Sequence, residues 1–135
     1  MESDKKIILF DGICNLCNGF IQFVIKRDKE DLFRYASLQS DIGQKLITER
    51  GIDTKTIDSV VLIEPGIAYY IKSDAALQIG KNIKGYRTVS KLLYLISRSL
   101  RNIVYDFIAR NRYRWYGKKE QCMIPSPELK AKFLD

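Results

Sequence analysis

Hydrophobic and polar positions change period several times along the chain. Ile7, Ile8, Leu9 and Phe10 form a continuous apolar run closed by Asp11-Gly12, the pattern of a short buried strand over about 5–10 that ends in a turn. From Cys14 the period lengthens. Leu16, Phe20, Phe23, Val24 and Arg27 fall on one helical face with Ile13, Cys17 and Ile21 beside it, which predicts a helix over about 14–28. Gly19 weakens that helix by roughly 1 kcal/mol. Residues 32–36 read as a second strand. "SLQSDIGQKLITERG" predicts a helix over about 40–50, with Ser40 or Asp41 as N-cap and Gly51 as C-cap. "SVVLIE" (59–64) and "IAYYIK" (67–72) flank Pro65-Gly66 and make an antiparallel hairpin. Ser73 is a candidate cap for the helix "DAALQIGKNI".

After residue 86 the pattern is helical throughout. Val89, Leu92, Leu93, Ile96, Leu100, Ile103, Val104 and Phe107 recur at steps of three and four, with Thr88 as a candidate N-cap. Ser97-Arg98-Ser99 either bends this helix or divides it, and Lys91, Arg98, Arg101 and Arg110 lie off the stripe. The first two strands, joined by a helix, should be parallel by the right-handed crossover rule. With the hairpin they make a four-stranded mixed sheet carrying helices on both faces. We therefore expect one α/β domain over 1–135, with a βαβαββα core at about 5–85 and a helical extension and tail at 86–135. That order of elements is the thioredoxin-like one.

Composition narrows the class. The chain has 135 residues, 46% hydrophobic and 29% charged, as in a globular protein able to bury a real core. No stretch nears the 18 or so apolar residues of a membrane span, and the charged start "MESDKK" does not read as a secretory signal. The expectation is a cytoplasmic protein, where a Cys-x-x-Cys pair is catalytic or metal-binding rather than a structural disulfide. The three cysteines, an odd number, agree. The net charge of +7 is concentrated: residues 81–119 hold eleven Lys/Arg against one acid, Asp106. Such a segment attracts nucleic acid, anionic lipid or an acidic partner, or is the solvated face of a helix.

The chemistry centres on "DGICNLC", residues 11–17. At a helix N-terminus the free backbone N–H groups and the dipole stabilise a thiolate. Cys14, the more exposed, takes the nucleophile's role, and Cys17, one turn deeper, resolves the mixed disulfide. Asp11 at the strand end is placed to take or relay the Cys17 proton. Zinc would need two more ligands; the chain has no histidine, so only Cys122 and Asp11 remain to complete a site, and no metal and no other cofactor is expected. Two cysteines one turn apart can also simply face the core. "ILFDG" resembles the strand-end nucleophile of aspartyl-phosphate phosphatases, but Ile13 stands where their second Asp belongs.

"DGICNLC", "IDSVVLIE" and "ARNRYRWYGK" followed by Cys122 together resemble the DCC family of thiol-disulfide oxidoreductases, whose Asp-Cys-Cys motif corresponds to Asp11, Cys14 and Cys17. The resemblance runs from about residue 6 to 134. It implies a thioredoxin-like fold and exchange with a disulfide-containing protein or a small thiol. Ordinary thioredoxins place a cis-proline before the third strand. Here Asp58-Ser59 stand at that strand's entrance, within reach of Cys14, and Pro65 follows the strand. The resemblance also brings the C-terminal segment back near the cysteines, so that Arg112 or Tyr113 lines the site. Arg110, Arg112, Tyr113, Arg114 and Trp115 interleave cations with aromatics and also suit phosphates and stacked bases. Alternatively, Tyr113 and Trp115 pack the segment against the sheet. The competing function is a non-enzymatic module that uses the basic 81–119 segment on nucleic acid or an anionic membrane surface.

Overall fold

The structure, a computed structural model, describes residues 5–12, 15–28, 31–52, 60–65, 68–83, 85–117 and 132–133, except for the side chain of Arg112. The elements are β1 (Lys6–Phe10), α1 (Asn15–Arg27), β2 (Phe33–Ser37), α2 (Asp41–Glu49), β3 (Val60–Glu64), β4 (Ala68–Ile71), α3 (Lys72–Lys81), α4 (Arg87–Leu93) and α5 (Arg98–Tyr116). The strands lie in the order β2-β1-β3-β4. β1 runs parallel to β2 and antiparallel to β3, and β3 pairs antiparallel with β4. This is a mixed four-stranded sheet flanked by helices, consistent with a thioredoxin-like fold.

The run Ile7 to Phe10 is wholly buried because the sheet is covered on both faces, and its alternation sorts side chains between two cores. Ile8 and Phe10 pack with Ile21 and Val24 of α1, Leu62 of β3 and Ala75 and Ile79 of α3. Ile7 and Leu9 pack with Leu46 and Ile47 of α2 and Ile63 of β3. Ser40 caps α2, its hydroxyl accepting from the Gly43 amide, while the C-cap is Arg50 with Gly51 one position beyond at φ +64°. Asp28 closes α1 onto β2, its carboxylate accepting from the amides of Leu32 and Phe33 at 2.9 and 3.1 Å.

Two expectations need correction. α3 begins at Lys72 with Ile71 as its N-cap, so Ser73 lies inside the helix. Its hydroxyl is drawn to Asn102 of α5 rather than to its own helix end. α4 starts behind Tyr86, which makes no side-chain cap, so Thr88 is an internal residue. The apolar stripe from Val89 to Phe107 does not face the core: Val89, Leu92, Leu93, Ile96, Leu100, Ile103, Val104 and Phe107 are all exposed. α5 holds to α3 and α1 mainly with its other face, through Tyr105, Ala109 and a set of polar groups. The chain does divide at Ser97, whose hydroxyl caps α5 by accepting from the Leu100 amide. Near the C-terminus, Phe133 returns as a parallel bridge to Tyr35 of β2.

Candidate functional site

β1 delivers Asp11 to the end of the sheet, where its carboxylate is 3% exposed. Two distant elements hold it. The Gln39 side-chain amide, after β2, donates to Asp11 Oδ1 at 2.7 Å. The Tyr113 hydroxyl, on the last turn but one of α5, donates to Asp11 Oδ2. Gln39 is itself fixed, because its Oε1 accepts from the Gly12 amide at 2.9 Å and from the Ser37 hydroxyl at 2.6 Å. A carboxylate is rarely so buried without partners, and this one is gripped on both oxygens.

The turn after Asp11 is tied down from the helix side. Asn18 donates from Nδ2 to the Gly12 carbonyl at 2.9 Å. The far end of α5 closes on the same turn. The Asn15 amide donates to the Gly117 carbonyl at 3.2 Å, and Asn15 Nδ2 donates to the Tyr116 carbonyl at 2.8 Å. The C-terminus of α5 thus sits against the N-terminus of α1.

Cys17, in the first turn of α1, is 3% exposed. It lines a cavity of about 240 Å³ together with Leu16 and Phe20 of α1, Val60 of β3, Ala76 of α3 and Tyr105, Ile108 and Ala109 of α5. The lining is almost wholly apolar. An apolar void of some 150 Å³ already accepts a benzene-sized guest, so this one accommodates a large apolar side chain.

Of the residues singled out from the sequence, Asp11 and Tyr113 are brought into contact, and Cys17 lies in the same β1–α1 corner. Trp115 is not part of that corner. It is half exposed and packs edge-on against Phe107 with ring centroids 5.4 Å apart. Cys14, Asp58, Ser59 and Cys122 lie outside the described residues, as does the side chain of Arg112, whose backbone belongs to α5. Sequence reasoning did not find Gln39, nor the contribution of Tyr105 and Ala109 to the wall beside Cys17. Gln39 carries no motif; its only signal is its place just after the strand that pairs in parallel with β1. Among the described residues no group of three or more His, Cys, Asp or Glu is placed to hold a metal ion. No described helix is long and apolar enough to cross a membrane.

A mixed sheet of this topology, with a cysteine in the first turn after β1 and a buried aspartate at the strand end, defines a thioredoxin-like domain with a motif at the β1–α1 corner. The chain belongs to the DCC1-like thiol-disulfide oxidoreductase family, whose model matches residues 8–118. It is 46% identical over 130 residues to the uncharacterized protein YuxK of Bacillus subtilis (strain 168), covering 96% of this chain and 94% of that one. It is 40% identical over 125 residues to a chloroplastic DCC family protein of Arabidopsis thaliana, covering 91% of this chain and 72% of that one. No solved structure matches it.

Proposed function

We propose that the protein is an enzyme of thiol–disulfide exchange in which Cys14 attacks and Cys17 resolves. The observation that carries this reading is the buried Asp11 carboxylate, clamped by Gln39 and Tyr113 at the entrance to the helix that bears Cys17. A buried carboxylate held on both oxygens beside the cysteine turn is positioned to accept a proton.

The Cys14 thiolate attacks one sulfur of a substrate disulfide, forming a mixed disulfide and expelling the other substrate sulfur as a thiolate. Cys17 loses its proton to Asp11, and its thiolate attacks the Cys14 sulfur. The second substrate thiol leaves, and a Cys14–Cys17 disulfide remains. The substrate gains two electrons and the protein loses two; a dithiol donor restores the pair, and the cycle runs in reverse where the protein is the oxidant. The cavity beside Cys17 receives an apolar group of the substrate next to its disulfide, so the substrate class is a disulfide-bearing polypeptide or a small thiol with an apolar neighbour. Asp58, Ser59 and Arg112 complete the substrate contacts in this reading. No cofactor takes part.

Equilibration of the full chain in glutathione buffers, with mass spectrometry of the alkylated thiols, tests the proposal. Cys14 and Cys17 should convert together in one two-electron transition that is lost in Cys14→Ser and in Cys17→Ser. In the reduced protein Cys14 should alkylate first, as the first cysteine of a Cys-x-x-Cys pair at a helix N-terminus is the expected nucleophile. Independent oxidation of the two thiols, or fastest labelling of Cys17, overturns the assignment.

A further inference from the structure

We infer that α4 and the first half of α5 form a docking face for an anionic lipid bilayer. The basis is the orientation of α5, which leaves a full apolar stripe exposed to solvent. Four of its polar residues turn inward. Arg101 pairs with Asp74 at 2.9 Å, Asp106 with Lys72 at 3.0 Å, Asn102 meets Ser73, and Tyr113 reaches Asp11. One apolar stripe turns outward, while Tyr105 and Ala109 face the body of the domain. Leu100, Ile103, Val104 and Phe107, at the i, i+3, i+4, i+7 spacing of a single helical face, are all exposed, Ile103 to 64%. The face continues through the α4–α5 connection. Every residue from 91 to 100 is exposed, among them Leu92, Leu93, Tyr94, Ile96 and Leu95, the last to 83%. A contiguous apolar surface of this kind marks an interaction site.

Charge selects the occupant. The segment 81–119 carries a net charge of +10. Arg87, Lys91, Arg110 and Arg114 are exposed on the same two helices. Apolar side chains together with cations are what an interfacial helix presents to anionic headgroups. A second copy would set the same cations against each other. Nucleic acid would find a face that is largely aliphatic, with Trp115 engaged edge-on with Phe107. The protein in this arrangement lies on the bilayer and does not cross it. The inference is independent of the chemistry at Cys14 and Cys17.

Co-sedimentation with vesicles of phosphatidylcholine, alone or mixed with phosphatidylglycerol, tests it on the full chain. The protein should pellet with the mixed vesicles, less with neutral ones, and less as salt rises. Emission from Trp115, the only tryptophan, should shift to the blue on binding. Leu100→Ser/Ile103→Ser should lower the partition coefficient about tenfold or more while leaving the circular dichroism unchanged, since both side chains point away from the core. Leu95→Glu, outside any helix, supplies the same test should the double variant unfold. Failure to pellet overturns the inference, as does undiminished pelleting of both variants. So does a dimer in solution that these variants dissociate without vesicle binding, which assigns the face to a second copy. Oligonucleotide binding without vesicle binding assigns it to nucleic acid.

Discussion

The clamp on Asp11 gathers three side chains from distant parts of the chain: Gln39 is 28 positions away and Tyr113 is 102. Its members do different work, and substitutions separate them. In the proposed cycle Asp11 takes the Cys17 proton. Asp11→Asn should then slow release of the mixed disulfide by roughly 10²–10⁴-fold and leave the first attack by Cys14 nearly intact. Tyr113→Phe removes one hydrogen bond to a buried carboxylate and should cost about 1.5–3 kcal/mol of stability, with a smaller effect on resolution. Stopped-flow reduction of a disulfide peptide, with chemical denaturation of each variant, reads both quantities. A resolution rate unchanged within a factor of about two in Asp11→Asn leaves the aspartate as a brace for the turn. The motif members Asp11 and Cys17 were legible because local spacing names them. Gln39 and Tyr113 were not identifiable as partners of Asp11, since no local pattern encodes a contact closed by β2 and the end of α5.

At the scale of elements, the sequence was legible where period and punctuation agree. The strands and the first three helices stand within a residue or two of their expected positions, because each apolar run ends at a turn residue. The stripe of α4 and α5 was legible as helix but not in its direction. Periodicity gives the width and spacing of an apolar face, and only packing decides whether that face is covered. Two glycines show how element contacts set the sign of one substitution. Gly43 lies in the first turn of α2, where a Cβ would stand 2.1 Å from the Ser37 carbonyl oxygen, a backbone atom that cannot step aside. Gly43→Ala should destabilise by about 1–3 kcal/mol as α2 is pushed off β2. Gly19, in α1, has no atom within 4 Å of the same construction. Gly19→Ala should therefore stabilise by about 0.4–1 kcal/mol through the lost freedom of the unfolded chain. Urea midpoints of the two variants should move in opposite directions. A shift of the same sign would show that neither backbone is held as the structure has it.

Over the whole molecule, charge pairing ties distant segments together in ways composition only partly signals. The basic segment spends Arg98 and Arg101 on Asp74, which anchors α5 to α3. At the opposite edge Asp31 gathers Arg34 and Lys132 at 2.8 Å each, with Lys5 at 3.8 Å. This joins the start of β1, the start of β2 and the C-terminal return, where Phe133 packs 5.5 Å from Tyr35 and 6.2 Å from Phe10. The hydrogen bonds from Arg34, then those from Lys132, hold the Asp31 carboxyl well below the usual carboxylate range. A carboxyl whose folded-state pKa is depressed contributes stability above its unfolded pKa, about 3.9, and loses that contribution as pH falls below it. Asp31 is half exposed, so screening limits the effect to about 1 kcal/mol. Asp31→Asn should be less stable than the parent at neutral pH, and the gap should close on acidification below about pH 4 as the parent's own carboxylate takes up its proton. Added salt should narrow the gap at neutral pH as well, because the cluster is open to solvent. Urea denaturation of both proteins at neutral and acid pH measures this. A gap that persists unchanged into acid would mean that Asp31 does not act through its charge.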